Sequence, residues 1–112
     1  MTPQQYEQLF SGFSFNNPYL SDDITYTQVS GKTHIDVVIT YVSASTVYMS
    51  DYLGYPGDIY DPMQDIIGDS EYAGQDDGRI YDLFFMDGQE KKHLESFWFD
   101  ENGDLVFSPV IP

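Results

Sequence analysis

The first pattern along the chain is helical. Tyr6, Leu9, Phe10 and Phe13 recur at helical spacing within TPQQYEQLFSG, with Thr2 placed to cap, Pro3 at the first helical position and Gly12 just past the end. This predicts a short opening helix whose apolar face docks on a sheet. FNNPYLSDD then reads as a loop, because Asn, Pro, Ser and Asp cluster there. From Ile24 the period changes to two: ITYTQV, the turn SGK and the β-branched run THIDVVITYVSAS predict a hairpin. In its second arm Ile35, Val37, Ile39 and Tyr41 point inward, while His34, Asp36, Val38 and Thr40 form the other, mostly polar face. TVYMSDYL either continues that strand or begins another.

Further along, Asp61 before Pro62 and the closing Gly68 predict a helical turn or two in DPMQDIIG, pinned to the core by Met63, Ile66 and Ile67. RIYDLFFM, DGQ, EKKHLESFWF, DENGD and LVFSPV then predict a three-stranded meander turning at Gly88 and Gly103. Leu94, Phe97 and Phe99 do not share one parity, which predicts a bulge or burial on both faces near SFWF. No repeat or linker interrupts the pattern. The expectation is one α+β domain over residues 1–112: an antiparallel sheet of hairpins and meander, an N-terminal helix, and a short helical turn near 62–67.

Charge changes this picture more than length does. The chain has 19 Asp and Glu against 4 Lys and Arg, a formal net charge of -15. Acidic disordered chains are poor in aromatics, whereas this one is 17% aromatic, with 10 Tyr, 8 Phe and 1 Trp, so it has enough to bury. A folded domain this negative repels itself, and its charge serves either solubility or a positive partner. Direct binding to nucleic acid or to an anionic membrane requires the opposite sign. The start MTPQQYEQLF lacks the basic and apolar regions of a signal peptide, and no apolar run reaches membrane-spanning length, so the expectation is a cytoplasmic protein.

Catalytic and metal chemistry finds little to stand on. With no Cys, thiolate zinc sites and cysteine nucleophiles are excluded. DENGD alternates oxygen ligands, but an EF-hand requires glycine at its sixth position and glutamate at its twelfth; Gly103 is fourth and Ile111 twelfth. His34 and His93 are the only histidines and lie on separate predicted strands. Gly-x-Ser-x-Gly and glycine-rich phosphate loops are absent. The expectation is a non-enzyme without catalytic residues, metal or cofactor. A different class, a small enzyme or carbohydrate-binding domain, would need a deep groove joining Trp98 to two close carboxylates; core packing is the simpler reading of SFWF.

The acidic excess is densest between Asp51 and Gly78. Residues 58–78 hold Asp58, Asp61, Asp65, Asp69, Glu71, Asp76 and Asp77, Asp51 stands just upstream, and Arg79 is the first base after them. The spacing 58, 61, 65, 69 aligns carboxylates along one side of a helical path, with neighbouring Cβ atoms roughly 5–6 Å apart. Duplex DNA carries a charge per ~1.7 Å of axis, so such a row is a sparse imitation of a phosphate track. Tyr60 and Tyr72, read as exposed, would add apolar contact that salt does not screen.

Small size, absence of Cys, extreme acidity and an aromatic-rich core resemble the DNA-mimic proteins of bacteria and phage, most closely the Neisseria mimics that bind the histone-like nucleoid protein HU. The resemblance implies a monomeric inhibitor that occupies the DNA-binding face of a basic, HU-like protein and competes with DNA. An immunity protein, or a phage anti-restriction or anti-CRISPR inhibitor of a cationic nuclease, would have the same composition. Asp51, Asp58, Asp61, Asp65, Asp69, Glu71, Asp76, Asp77, Tyr60 and Tyr72 are the expected partner-binding residues on either reading.

Overall fold

The computed structural model describes residues 1–40, 56–75 and 78–112. The opening helix, α1, spans Pro3–Leu9. Thr2 closes a capping box at its start: the Gln5 N–H donates to Thr2 Oγ1 at 3.2 Å, and the Thr2 N–H donates to Gln5 Oε1 at 2.8 Å. Tyr6 and Phe10 are buried, and Leu9 and Phe13 pack against the same cluster.

Five strands, β1 (Thr25–Val29), β2 (Lys32–Ile39), β3 (Ile80–Asp87), β4 (Glu90–Phe99) and β5 (Leu105–Ser108), lie side by side in chain order. A second helix, α2 (Gly57–Gly68), falls between β2 and β3. The β1–β2 hairpin turns through Ser30 and Gly31, at φ 52° and 79°. Two positive φ values in a two-residue loop match the twist of the strands they join.

The predicted antiparallel pairing describes three of the four neighbours. The exception is β2 with β3, which run parallel in the register Ile35↔Tyr81, Val37↔Leu83 and Ile39↔Phe85. Parallel neighbours cannot share a tight turn, so the chain crosses over the sheet between them, and that connection carries α2. Both helices cover the same face. Tyr6 of α1 stacks on Tyr26 of β1 at 5.4 Å, and Tyr60 of α2 meets Tyr81 of β3 edge-on at 6.0 Å. With helices on one face of a mostly antiparallel sheet, the fold is α+β. Among the described residues no helix is long and apolar enough to cross a membrane.

The second helix begins earlier than its caps predict. Asp61 is not its N-cap; the Pro56 carbonyl accepts from the Ile59 and Tyr60 N–H groups at 3.0 and 2.8 Å, and Pro62 sits inside the helix. An interior proline costs roughly 3 kcal/mol. Burial outweighs it, because Ile59, Met63 and Ile67 are fully shielded at 0, 0 and 1% exposure, and each such side chain contributes about 1.5–3 kcal/mol.

The irregularity expected near SFWF is a bulge. Leu83 pairs with Glu95 but Phe84 pairs with His93, so Leu94 is the extra residue. The DENGD turn is a hairpin corner in which Asp100 Oδ1 accepts from the Asn102 and Asp104 N–H groups, both at 2.9 Å. The run from Tyr41 and the segment TVYMSDYL lie outside the described residues.

Because α2 is held by one apolar row, Met63→Ala should destabilise the protein by about 2–4 kcal/mol. Urea unfolding of the variant, with an unchanged slope and a lower midpoint, measures this.

Candidate partner-binding surface

Turning by about 100° per residue, α2 presents positions 58, 61, 65 and 69 within an arc of about 80°, and Ile59, Met63 and Ile67 within an arc on the opposite side. Sinking the apolar arc into the core therefore lifts the acidic one outward. Asp61, Asp65 and Asp69 are exposed, and Glu71 is exposed in the turn that follows. From position 58 to 69 the row extends about 16 Å along the axis.

Asp58 differs from the others. It is half-buried in the first turn, where its Oδ2 accepts from Asn17 Nδ2 at 2.9 Å and ties α2 to the loop before β1. A carboxylate there also faces the positive end of the helix dipole. Asp69 forms the C-cap, its N–H donating to the Asp65 carbonyl at 3.1 Å and the Ser70 N–H donating to the Ile67 carbonyl at 3.1 Å, and the last turn contains no base. The Ser70 hydroxyl completes that end by donating to the Ile67 carbonyl at 2.7 Å and accepting from the Tyr72 N–H at 3.0 Å.

Neither tyrosine is an exposed side chain. Tyr60 is half-buried, its ring 4.4 Å from that of Phe99 and in contact with Tyr81, so its helical position aims it at the sheet. Tyr72 is half-buried as well, and loss of solvent, followed by its hydrogen bond to Glu71, raises its phenol above the usual range. Asp51, Asp76 and Asp77 lie outside the described residues.

The four bases are placed elsewhere. Lys92 Nζ lies 2.8 Å from Asp87, Lys91 Nζ lies 3.8 Å from Asp36 and 4.3 Å from the Phe84 ring centre, and Lys32 runs along Gly78. Arg79 donates to Gln64 Oε1 and stands 5.9 Å over the Tyr60 ring. Among the described residues no ion pair reaches Asp61, Asp65, Asp69 or Glu71.

The sheet's second face holds a polar row that the sequence pattern does not reveal. Strand register aligns Asp36, Asp82 and Ser96 across β2, β3 and β4. His34 Nδ1 contacts Asp82 Oδ2 at 2.7 Å, Ser96 Oγ donates to Asp82 Oδ1, and His93 Nε2 lies 2.8 Å from Ser96 Oγ. Residues 93 and 96 would face opposite ways in a regular strand; the bulge at Leu94 restores them to one face. With the serine proton committed to Asp82, His93 donates rather than accepts, unlike the base of a serine nucleophile. Ser96, Asp82 and His34 are 0, 1 and 4% exposed, so the row fastens the middle strands from within.

Trp98 lies on this face too, half-buried opposite Val106, and is not part of the lining of the large cleft on the helix side. Among the described residues no group of three potential ligands could hold a metal ion.

The chain matches no protein-family model, no curated protein and no solved structure.

Burial and the nearby Asp82 carboxylate, in that order, raise the pKa of Asp36, with Lys91 and His34 opposing them. A carboxyl whose pKa is raised on folding favours the folded state at low pH and loses that contribution as pH rises through its folded value. Asp36→Asn should therefore raise the melting temperature at pH 7, and the gain should shrink toward pH 4, near the ordinary carboxylate range. Thermal scans at both pH values check the sign; an equal or larger gain at pH 4 would contradict it.

Proposed function

We propose that the protein is a DNA mimic: a cytoplasmic, monomeric, non-enzymatic binding protein whose acidic helix occupies the DNA-binding face of a basic, HU-like protein and competes with DNA. The carboxylates of Asp61, Asp65, Asp69 and Glu71 stand in for phosphates, forming charge-assisted hydrogen bonds with the partner's Lys and Arg. Asp51, Asp76 and Asp77 extend the same acidic stretch of sequence. No metal or cofactor enters this mechanism, and the net charge of -15 opposes direct contact with DNA or an anionic membrane.

One observation carries the reading: the acidic row runs against the stability of its own helix. Like charges at i and i+4, as in Asp61 with Asp65, destabilise a helix by roughly 0.2–0.5 kcal/mol per pair. Carboxylates at the negative end of the dipole forgo roughly 0.3–1 kcal/mol that a lysine would contribute there. The one acid that helix electrostatics favours, Asp58, is the one held by Asn17. A surface shaped for solubility alone could mix both signs along α2, whereas here all four bases lie outside the helix. Accepting that cost makes sense where the negative row meets a positive partner.

Asp61→Lys with Asp65→Lys should weaken binding to a purified HU-like protein by tenfold or more, since two attractive charges become repulsive, and affinity of the parent protein should fall steeply with added salt. Calorimetric titration at low and moderate salt measures both; binding indifferent to charge reversal and to salt would refute the proposal. Asp69→Lys should raise the melting temperature by about 2–5 °C while weakening the same interaction.

A further inference from the structure

The helix-side cleft, of about 500 Å³, has Tyr60 and Gln64 of α2, Arg79, and Phe99, Asp100 and Glu101 at the β4–β5 corner in its lining. That volume falls in the range of about 300–1,000 Å³ seen for ligand pockets. We infer that this cleft is a socket for a single arginine side chain of the basic partner, an inference that rests on the proposed function and locates its most specific contact.

Three features favour a guanidinium. The rings of Tyr60 and Phe99, 4.4 Å apart and each half-buried, give the cleft an aromatic wall. Planar, weakly hydrated guanidinium groups stack on such surfaces better than ammonium groups do. Arg79 already shows the local chemistry, lying 5.9 Å over the Tyr60 ring while donating to the Gln64 amide oxygen. Among the described lining residues the charges are two carboxylates, Asp100 and Glu101, and one guanidinium, Arg79, for a formal balance of -1. One incoming arginine neutralises the cleft; a carboxylate or phosphate would double its negative charge or more.

The cleft also lies where an extended basic segment would reach it. Gln64 faces about 60° round the helix from Asp61, so the socket borders the acidic arc. A partner segment following Asp61, Asp65 and Asp69 would have the socket at its flank. The stripe then supplies attraction to any cation, and the socket supplies preference for arginine.

Fluorescently labelled oligoarginine and oligolysine of equal length are the probes, titrated into the full-length protein at fixed salt. Oligoarginine is expected to bind roughly three- to tenfold more tightly, as one stacked guanidinium would confer. Phe99→Leu, which keeps an apolar side chain, should reduce that ratio to near one, and Glu101→Gln, at an exposed turn position, should reduce it in part. Asp61→Asn with Asp65→Asn should weaken both peptides alike and leave the ratio unchanged. Equal affinities for the two peptides, or a ratio that survives both Phe99→Leu and Glu101→Gln, would overturn the socket while leaving the acidic stripe standing. Failure of both peptides to bind would overturn the proposed function and the socket with it.

Discussion

The parallel pairing of β2 with β3 forces the chain across the sheet, and the way that crossover is buried determines everything the molecule presents on α2. Ile59, Met63 and Ile67 provide one apolar row for the helix, and no second row of comparable burial competes with it. Once that row is in the core, the rotation of α2 is fixed to within a fraction of a turn. Asp61, Asp65 and Asp69 have no choice but to face outward, and Tyr60 has no choice but to meet Tyr81 and Phe99. Core packing on one side of the helix is thus what orders charge on the other.

The sheet's two faces do different work. The helix-covered face is an aromatic and aliphatic core running from Tyr6 and Tyr26 through Ile35 and Val37 to Leu83, Tyr81 and Phe97. The other face buries a polar row in which Asp82 takes contacts from His34 and Ser96. A buried carboxylate is costly unless its oxygens are satisfied, and here each oxygen has a named partner. The bulge at Leu94 adds the last link by turning His93 toward Ser96. Drawing Leu94 into a regular ladder would send that histidine to the opposite face, so a backbone irregularity serves a side-chain network.

Much of this is readable from local pattern. Thr2, Pro3 and the apolar spacing of Tyr6, Leu9 and Phe10 specify α1, and Ser30–Gly31 between alternating strands specifies the first hairpin. The broken parity of Leu94, Phe97 and Phe99 announces the bulge, and the spacing of Asp61, Asp65 and Asp69 announces the acidic side of α2. What local pattern does not carry is which strands become neighbours. Nothing near β2 says that β3, some forty residues later, lies parallel beside it. The buried row of residues 34, 82, 93 and 96 is hidden for the same reason, since it exists only once the register is set. The start of α2 was obscured by Pro62, whose preference for a first turn is outweighed by burial on either side of it. Tyr60 is buried by tertiary contact with Phe99, a partner that no spacing rule connects to it.

Competition with DNA is the claim on which the functional account turns. The direct measurement is fluorescence anisotropy of a labelled DNA duplex bound to an HU-like protein, followed as this protein is added at low salt. The account predicts that the duplex is released, that anisotropy falls to the value of DNA alone, and that more of the acidic protein is needed as competing charge on α2 is removed. A duplex that stays bound, or an anisotropy that rises as a three-component complex forms, would contradict it.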